Sequence, residues 1–255
     1  MKKTNTIMVS DDVLKDVQRH LHSPSKRDWL KRGLTLGGLS LLSGCNISVE
    51  SDIERGLQKI SELNDLAQAW LFDPRKLAPT FPASMITRPF PFNAFYAESQ
   101  VPQVEGSSYR LELAGLVSDK RPWRLDALAQ LPQEEQITRH ICVEGWSAIG
   151  RWGGVPFRDF LQRVGADMSA KYVGFKCADD YHTSIDMATA LHPQTLLALS
   201  YDGQTLPPAY GYPMKLRMPT KLGYKNPKHI QAIFVTNTYP GGYWEDQGYN
   251  WFGGI

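Results

Sequence analysis

From Ser108 onward the chain switches between strand-like and helix-like patterning every few residues, and no single period lasts long enough to build a regular array. "SYRLELAGLV" alternates apolar and polar residues and closes near a glycine, which predicts a strand running into a turn. "RLDALAQLP" predicts a short helix with Asp126 near its start, stopped by Pro132. "EEQITRHICVEG" predicts a strand that delivers Cys142 to a turn at Gly145. A helix over "PFRDFLQRVGA", a strand over "AKYVGFKCADD" and a short helix over "DMATALH" follow, then two strands over "MKLRMPT" and "HIQAIFVTN". This interleaving lacks the alternation of a doubly wound sheet, so the expected class is α+β, mixed and β-rich, in a single domain.

The first part of the chain reads differently. "KRDWLKRGL" followed by "TLGGLSLLSGC" places a basic stretch before a short apolar run closed by small residues, the layout of an export signal. The run Gly33–Leu42 is much shorter than the roughly 20 residues of a membrane-spanning helix. "KRDWLK" resembles a twin-arginine signal with Lys26 in place of the first arginine, and "LSGC" resembles a lipobox ending at Cys45. The expected location is the periplasm, with the chain lipid-anchored to the envelope. Residues 1–45 are therefore set aside as a leader. Apolar residues at Ile53, Leu57, Ile60, Leu63, Leu66 and Trp70 have helical spacing, and the proline-rich stretch after them is extended. Residues 46–80 are thus expected to form a helix and a wrapping segment, and 81–255 the main domain. Phe81, Phe90, Phe92, Phe95 and Tyr96 are too apolar to be left in water as a linker.

Charge and cysteine count narrow the chemistry. The formal net charge is +2, which excludes a global field for nucleic acid. Against that background Lys215, Arg217, Lys221, Lys225, Lys228 and His229 form a local basic cluster around a turn. It is either a solvated face or a pocket for a phosphate-bearing cofactor, and no GxGxxG or GxxxxGK[ST] accompanies it. Of three cysteines, Cys142 and Cys177 fall in the main domain. They are consistent with a disulfide, with core thiols, or with a thiolate on a soft metal, and the absence of CxxC argues against zinc. His140 should share a strand face with Cys142. The glycine- and aromatic-rich ending suits either a core edge or the rim of a substrate funnel.

"CVEGWS" followed by "WGGVPF" resembles the sulfite oxidase superfamily of molybdopterin oxidoreductases. The likeness runs from about Phe90 to Trp251 and is nearest to the single-domain periplasmic branch that includes the methionine sulfoxide reductase catalytic subunit. It implies that Cys142 supplies a thiolate to molybdenum beside the dithiolene of one molybdopterin. It also implies that Asn93, Tyr96 and Ala97 line the pterin. Cys177 stands where reductases of that branch have a threonine close to the cofactor. Tyr210 and Lys215 stand at the ends of a cofactor-contacting stretch, and Asn226, Pro227 and Lys228 match a phosphate-binding turn. The superfamily's sulfite oxidases carry arginine just after the cysteine, whereas Trp146, Ser147 and Ala148 follow here, which weakens a sulfite pocket. The chain ends soon after Trp251, without an immunoglobulin-like dimerisation domain, so a monomer is expected. No CxxCH haem motif is present, so a separate haem or quinol-linked membrane partner would exchange electrons.

The expected function is reduction of an S- or N-oxide such as methionine sulfoxide, as a small molecule or protein-bound. The alternatives are oxidation of sulfite with a cytochrome acceptor, or a non-catalytic envelope lipoprotein. Trp146, Tyr181, His182 and Trp244 are candidate substrate contacts.

Overall fold

The structure is a computed structural model that describes residues 50–255, with side chains from residue 59 onward. The leader, its lipobox and Cys45 lie outside the described residues. Helix α1 (Glu50–Leu71) leads into an extended segment that is stitched to the body by a side chain acting as a strand. Gln194 Oε1 accepts from the Ala78 N–H at 2.7 Å, and its Nε2 donates to the Ala78 carbonyl at 3.0 Å. A few residues on, the Phe81 N–H reaches the Ile137 carbonyl at 3.0 Å.

Two sheets follow. One contains β1 (Arg110–Gly115), β2 (Trp123–Arg124), β5 (Tyr172–Cys177), β6 (His182–Asp186) and β10 (Ile230–Thr236), in the order β2-β1-β10-β5-β6. Within it β1 runs parallel to β10, with Leu113 opposite Ile233. The other sheet is antiparallel, in the order β3 (Glu134–Ile141), β4 (Ser147–Pro156), β7 (Leu196–Tyr201) and β8 (Gln204–Thr205), with β9 (Lys215–Arg217) pairing with the start of β7 on the same edge as β8. Helices α2 (Leu125–Ala129), α3 (Phe157–Arg163) and α4 (Met187–Ala190) are short.

Side chains alternate as the pleat demands. On β1, Leu111 and Leu113 are buried while their neighbours face out. They join Phe157, Phe160, Val173, Phe175, Leu197, Leu216 and Val235 in the main core. Each such side chain contributes roughly 1.5–3 kcal/mol of burial. A second cluster gathers Phe90, Trp152, Ala198, Tyr201 and Leu206.

The expected α+β class holds, and every strand and helix expected beyond residue 107 is present. Strands β2, β4, β6, β7 and β8 were not legible. Strand β4 reads "SAIGRWGGVP", whose glycines and proline argue against a strand on propensity. Its glycines answer to contact instead. A Cβ on Gly154 would sit 2.0 Å from the Leu197 carbonyl oxygen, where the β4–β7 register shifts by a bulge.

Lys221 and Lys225 of the basic run are structural. Lys225 is fully buried, donates to the Ser184 carbonyl at 2.6 Å and pairs with Glu245, which also accepts from Thr183. Lys221 donates to the Phe252 carbonyl at 2.9 Å and lies 3.7 Å from Asp186. Together they bind the last segment of the chain to the sheets. Replacing Glu245 with alanine leaves the Lys225 ammonium buried without its counter-ion. Urea unfolding should show a loss of about 3–5 kcal/mol, and the double replacement Lys225→Met with Glu245→Leu should recover most of it.

Candidate functional site

The period of two along β3 turns Thr138 and His140 inward, and the next inward position is Cys142. There the strand reverses. The Cys142 N–H donates to the Trp146 carbonyl at 2.9 Å and the Gly145 N–H to the Cys142 carbonyl at 3.1 Å. Gly145 takes φ +91°, a value that side chains disfavour. The hairpin tip thus presents the thiol at the wall of a cavity of about 120 Å³. This void is smaller than the roughly 300–1,000 Å³ of common ligand clefts, so its lining chemistry is what distinguishes it.

Asn93 donates from Nδ2 to Cys142 Sγ at 3.1 Å. Glu144 lies on the other side, 3.7 Å from the sulfur, and accepts from Trp146 Nε1 at 2.9 Å. Burial pushes the Cys142 pKa up, opposed by the Glu144 main-chain N–H and the Asn93 amide. Cys142 and Cys177 are both free thiols, so the disulfide alternative is not realised.

The second wall comes from the other sheet. The β5–β6 hairpin carries Asp179 and Tyr181 to the cavity, and the segment after β9 brings Gly223, Tyr224, Asn226, Pro227 and Lys228. Phe95, Trp244 and Tyr249 complete an aromatic rim, with Phe95 stacked on Tyr243 at 4.6 Å between ring centroids.

Beneath this wall lies an unbalanced group of cations. Lys215, Arg217 and Lys228 are all buried, and within this basic run the ion pairs found among the described residues belong to Lys221 and Lys225 instead. Arg217 donates to carbonyls, Thr138 and Asn226, none of them charged. Lys215 has its ammonium 5.0 Å from the Trp152 ring centroid. Burial, then the charges of Lys228 and Arg217, hold the Lys215 pKa well below the ordinary lysine value. Lys228 is lowered to about 8 by burial, against the pull of Asp179. His140 is held well below its ordinary value by burial and then by these three cations, and neither of its ring nitrogens has a partner. His229, at φ +53°, engages the Tyr212 carbonyl through Nδ1 at 2.7 Å and leaves Nε2 unpartnered. A Cβ on Gly223 would lie 2.7 Å from His140 Nε2, so this wall must stay free of a side chain.

Buried cations without acids and buried polar atoms without partners are costly unless a ligand completes them. An anion held by main-chain turns, lysine, arginine and histidine is the ligand that would do so, and phosphate has that chemistry. The Cys142 thiol nearby suits a soft metal, which would displace its proton on binding. The residues present therefore fit a phosphate-bearing metal cofactor.

Five of the residues expected at the site line the cavity: Asn93, Cys142, Asn226, Pro227 and Lys228. Asn226 does so with its side chain committed to the loop, accepting from the Met218 N–H at 2.7 Å and donating to the Leu222 carbonyl at 3.0 Å. Lys215 belongs to the cation group behind the wall. Tyr96 stands one contact away, donating to Asp179 at 2.9 Å. Three others are placed elsewhere. Cys177 is in the main core, Ala97 is exposed before a short turn, and the Tyr210 hydroxyl donates to the Phe90 carbonyl at 3.0 Å. Of the candidate substrate contacts, Tyr181 and Trp244 line the cavity, whereas Trp146 is bonded to Glu144 and His182 lies 3.5 Å from Asp246. Sequence reasoning missed Glu144 and Asp179. Their signal was position beside a hairpin tip, visible only once the strands pair.

The family model described as "Oxidoreductase molybdopterin binding domain" matches residues 98–244. The chain is 68% identical over 246 residues, 96% of its length and 94% of the relative's, to a protein-methionine-sulfoxide reductase subunit YedZ1 of Azospira oryzae, whose name marks the assignment as provisional. It is 32% identical over 161 residues to the protein-methionine-sulfoxide reductase catalytic subunit MsrP of Burkholderia mallei, covering 57% of this chain and 49% of that one. The match to MsrP of Ralstonia nicotianae has the same extent and identity. The matches thus span about half the length of these MsrP relatives. Among solved structures, the sulfane dehydrogenase SoxCD from Paracoccus pantotrophus shares the fold, with TM-score 0.51, 19% identity, and coverage of 54% of this chain and 40% of that one.

The cation group makes a prediction for cofactor-free protein. Pyrophosphate should raise the unfolding temperature, equivalent to about 2.7 kcal/mol at a hundred times its dissociation constant, and Lys228→Met should remove most of that gain. Lys228 has a folded pKa near 8, below its unfolded value. Its burial therefore destabilises the ligand-free fold below pH 8, and that cost fades as pH rises towards the unfolded value. The pyrophosphate effect should accordingly weaken between pH 7 and 9. An effect independent of pH and of Lys228 would disprove the assignment.

Proposed function

The chain belongs to the oxidoreductase molybdopterin-binding domain family, and from that premise we propose that it is a periplasmic molybdenum enzyme that reduces S-oxides, methionine sulfoxide foremost. The observation that carries this reading is the Cys142 thiol on the cavity wall beside buried cations that lack acids. In this reading Cys142 holds the metal, and Lys215, Arg217, Lys228 and His229 hold the cofactor's phosphate. Molybdenum with its pterin dithiolene supplies the two-electron redox chemistry by which an S-oxide, two protons and two electrons become a thioether and water.

The chain's own residues decide orientation and selectivity. Asn93 fixes the sulfur through its amide hydrogen bond. Glu144 and Asp179 put carboxylates into the lining and oppose an anionic substrate such as sulfite. Phe95, Trp244 and Tyr249 offer ring faces and edges to a neutral sulfur group, a contact of roughly 0.3–1.5 kcal/mol each. Names of relatives at 68% and 32% identity support the sulfoxide direction. The division into a leader at 1–45, an arm at 46–80 and a catalytic domain at 81–255 belongs to this proposal. So do its monomeric state, envelope anchoring through Cys45 and a separate haem or quinol-linked electron donor.

The test is molybdenum content by elemental mass spectrometry, on protein from molybdenum-replete cells and on Cys142→Ala, with sulfoxide reduction by a reduced dye. Wild type should carry near-stoichiometric metal and reduce methionine sulfoxide, and Cys142→Ala should lose the activity while remaining folded. Metal-free wild type would refute the cofactor assignment. Sulfite turned over faster than sulfoxide would refute the direction.

A further inference from the structure

Helix α1 faces the wrong way for an ordinary amphipathic helix. Its contacts with the body are polar: Asp65 accepts from the Phe252 N–H at 2.7 Å and the Trp251 N–H at 3.3 Å, and Gln68 accepts from the Gly254 N–H at 3.0 Å. Its apolar residues point away. Ile60 is 63% exposed, Leu63 66%, Leu66 67% and Trp70 84%, and exposed Leu71 and Leu77 continue the patch. At 3.6 residues per turn, Ile60, Leu63, Leu66, Trp70 and Leu71 occupy an arc of about 140°, nearly opposite Asp65 and Gln68. Exposing so many large apolar side chains together is unusual for a surface that meets only water.

We propose that this arc of α1 lies against a lipid bilayer surface. The chain leading into the helix identifies the occupant. The apolar run Gly33–Leu42 ends eight residues before Glu50, and Cys45 stands five residues before it. Eight residues span at most roughly 29 Å when fully extended. A chain held at the membrane by either feature therefore keeps α1 within reach of the bilayer. The arc also has interfacial chemistry. Trp70 is its most exposed member, Lys59 is the charged residue within it among residues with described side chains, and Asp65 is turned inward. An apolar helix face close to a membrane-held leader would add a second contact with the bilayer. This inference rests on the proposed envelope location but requires nothing of the Cys142 site.

The test uses the full chain and its Ile60→Ser, Leu63→Ser, Trp70→Ser variant, with circular dichroism and thermal unfolding confirming that the variant folds. Co-sedimentation with vesicles of phosphatidylethanolamine and phosphatidylglycerol should show at least a tenfold lower partition coefficient for the variant. Brominated lipid should quench wild-type tryptophan fluorescence and quench Trp70→Phe less. Equal partitioning of both proteins would overturn the proposal, because the leader alone would then be binding. So would a wild type that ignores vesicles, whether monomeric or forming a dimer that the variant abolishes. Cell fractionation separately tests location: cytoplasmic protein that still binds vesicles through the arc would refute the envelope reading and leave the surface assignment intact.

Discussion

Three buried cations without an acid partner set the terms for the rest of this molecule. Lys215 and Arg217 on β9, with Lys228 after it, are held beside His140, whose two ring nitrogens lack partners, and His229, whose Nε2 does. Each ammonium or guanidinium loses its water on folding, and the penalty is several kcal/mol per ion without a counter-charge. The core therefore has to supply surplus stability. It does so through two sheets that meet over a continuous apolar cluster, and through Lys225 and Glu245, which form a properly paired charge nearby. The contrast between these lysines of one sequence run separates charges neutralised within the fold from charges left without an acid at hydrogen-bond distance.

The same geometry explains how a thiol comes to serve a site assembled from distant parts of the chain. Cys142 lies at the tip of the β3–β4 hairpin in one sheet, and Asp179 at the tip of the β5–β6 hairpin in the other. Hairpin tips lack the full strand ladder and can present side chains into a cavity, while the strands behind them fix position. Asn93, from the extended segment before β1, then orients the sulfur. The cavity lining holds both signs of charge, with Glu144 beside the sulfur and Asp179 on the wall that carries Lys228.

Much of this was legible beforehand. The strand that carries His140 and Cys142 followed from alternation, the turn at Gly145 from its glycine, and a local basic cluster that includes Lys228 from its contrast with a nearly neutral chain. The resemblance to molybdopterin oxidoreductases carried the family, and it is the source of the proposed metal-ligand role of Cys142, which spacing alone left open among three readings. What could not be read was pairing. Strand β4 hides behind glycines because its constraint is the Leu197 backbone opposite Gly154, a residue far along the chain. The basic run could not be divided into paired and unpaired lysines, since Glu245 and Asp186 meet it only in three dimensions.

Helix α1 shows the limit of periodicity from another side. Apolar spacing correctly marks a helix over Glu50–Leu71, but the usual rule, that the apolar stripe faces the core, fails here. The reason is the C-terminal segment. The N–H groups of Trp251, Phe252 and Gly254 point away from the sheets and would be left without partners if a hydrocarbon face covered them. Asp65 and Gln68 accept those donors, which turns the polar side of the helix inward and leaves the leucines and Trp70 outside. Hydrogen-bond satisfaction at three amides thus decides the orientation of a whole helix, and the hydrophobic face it displaces becomes available to a partner.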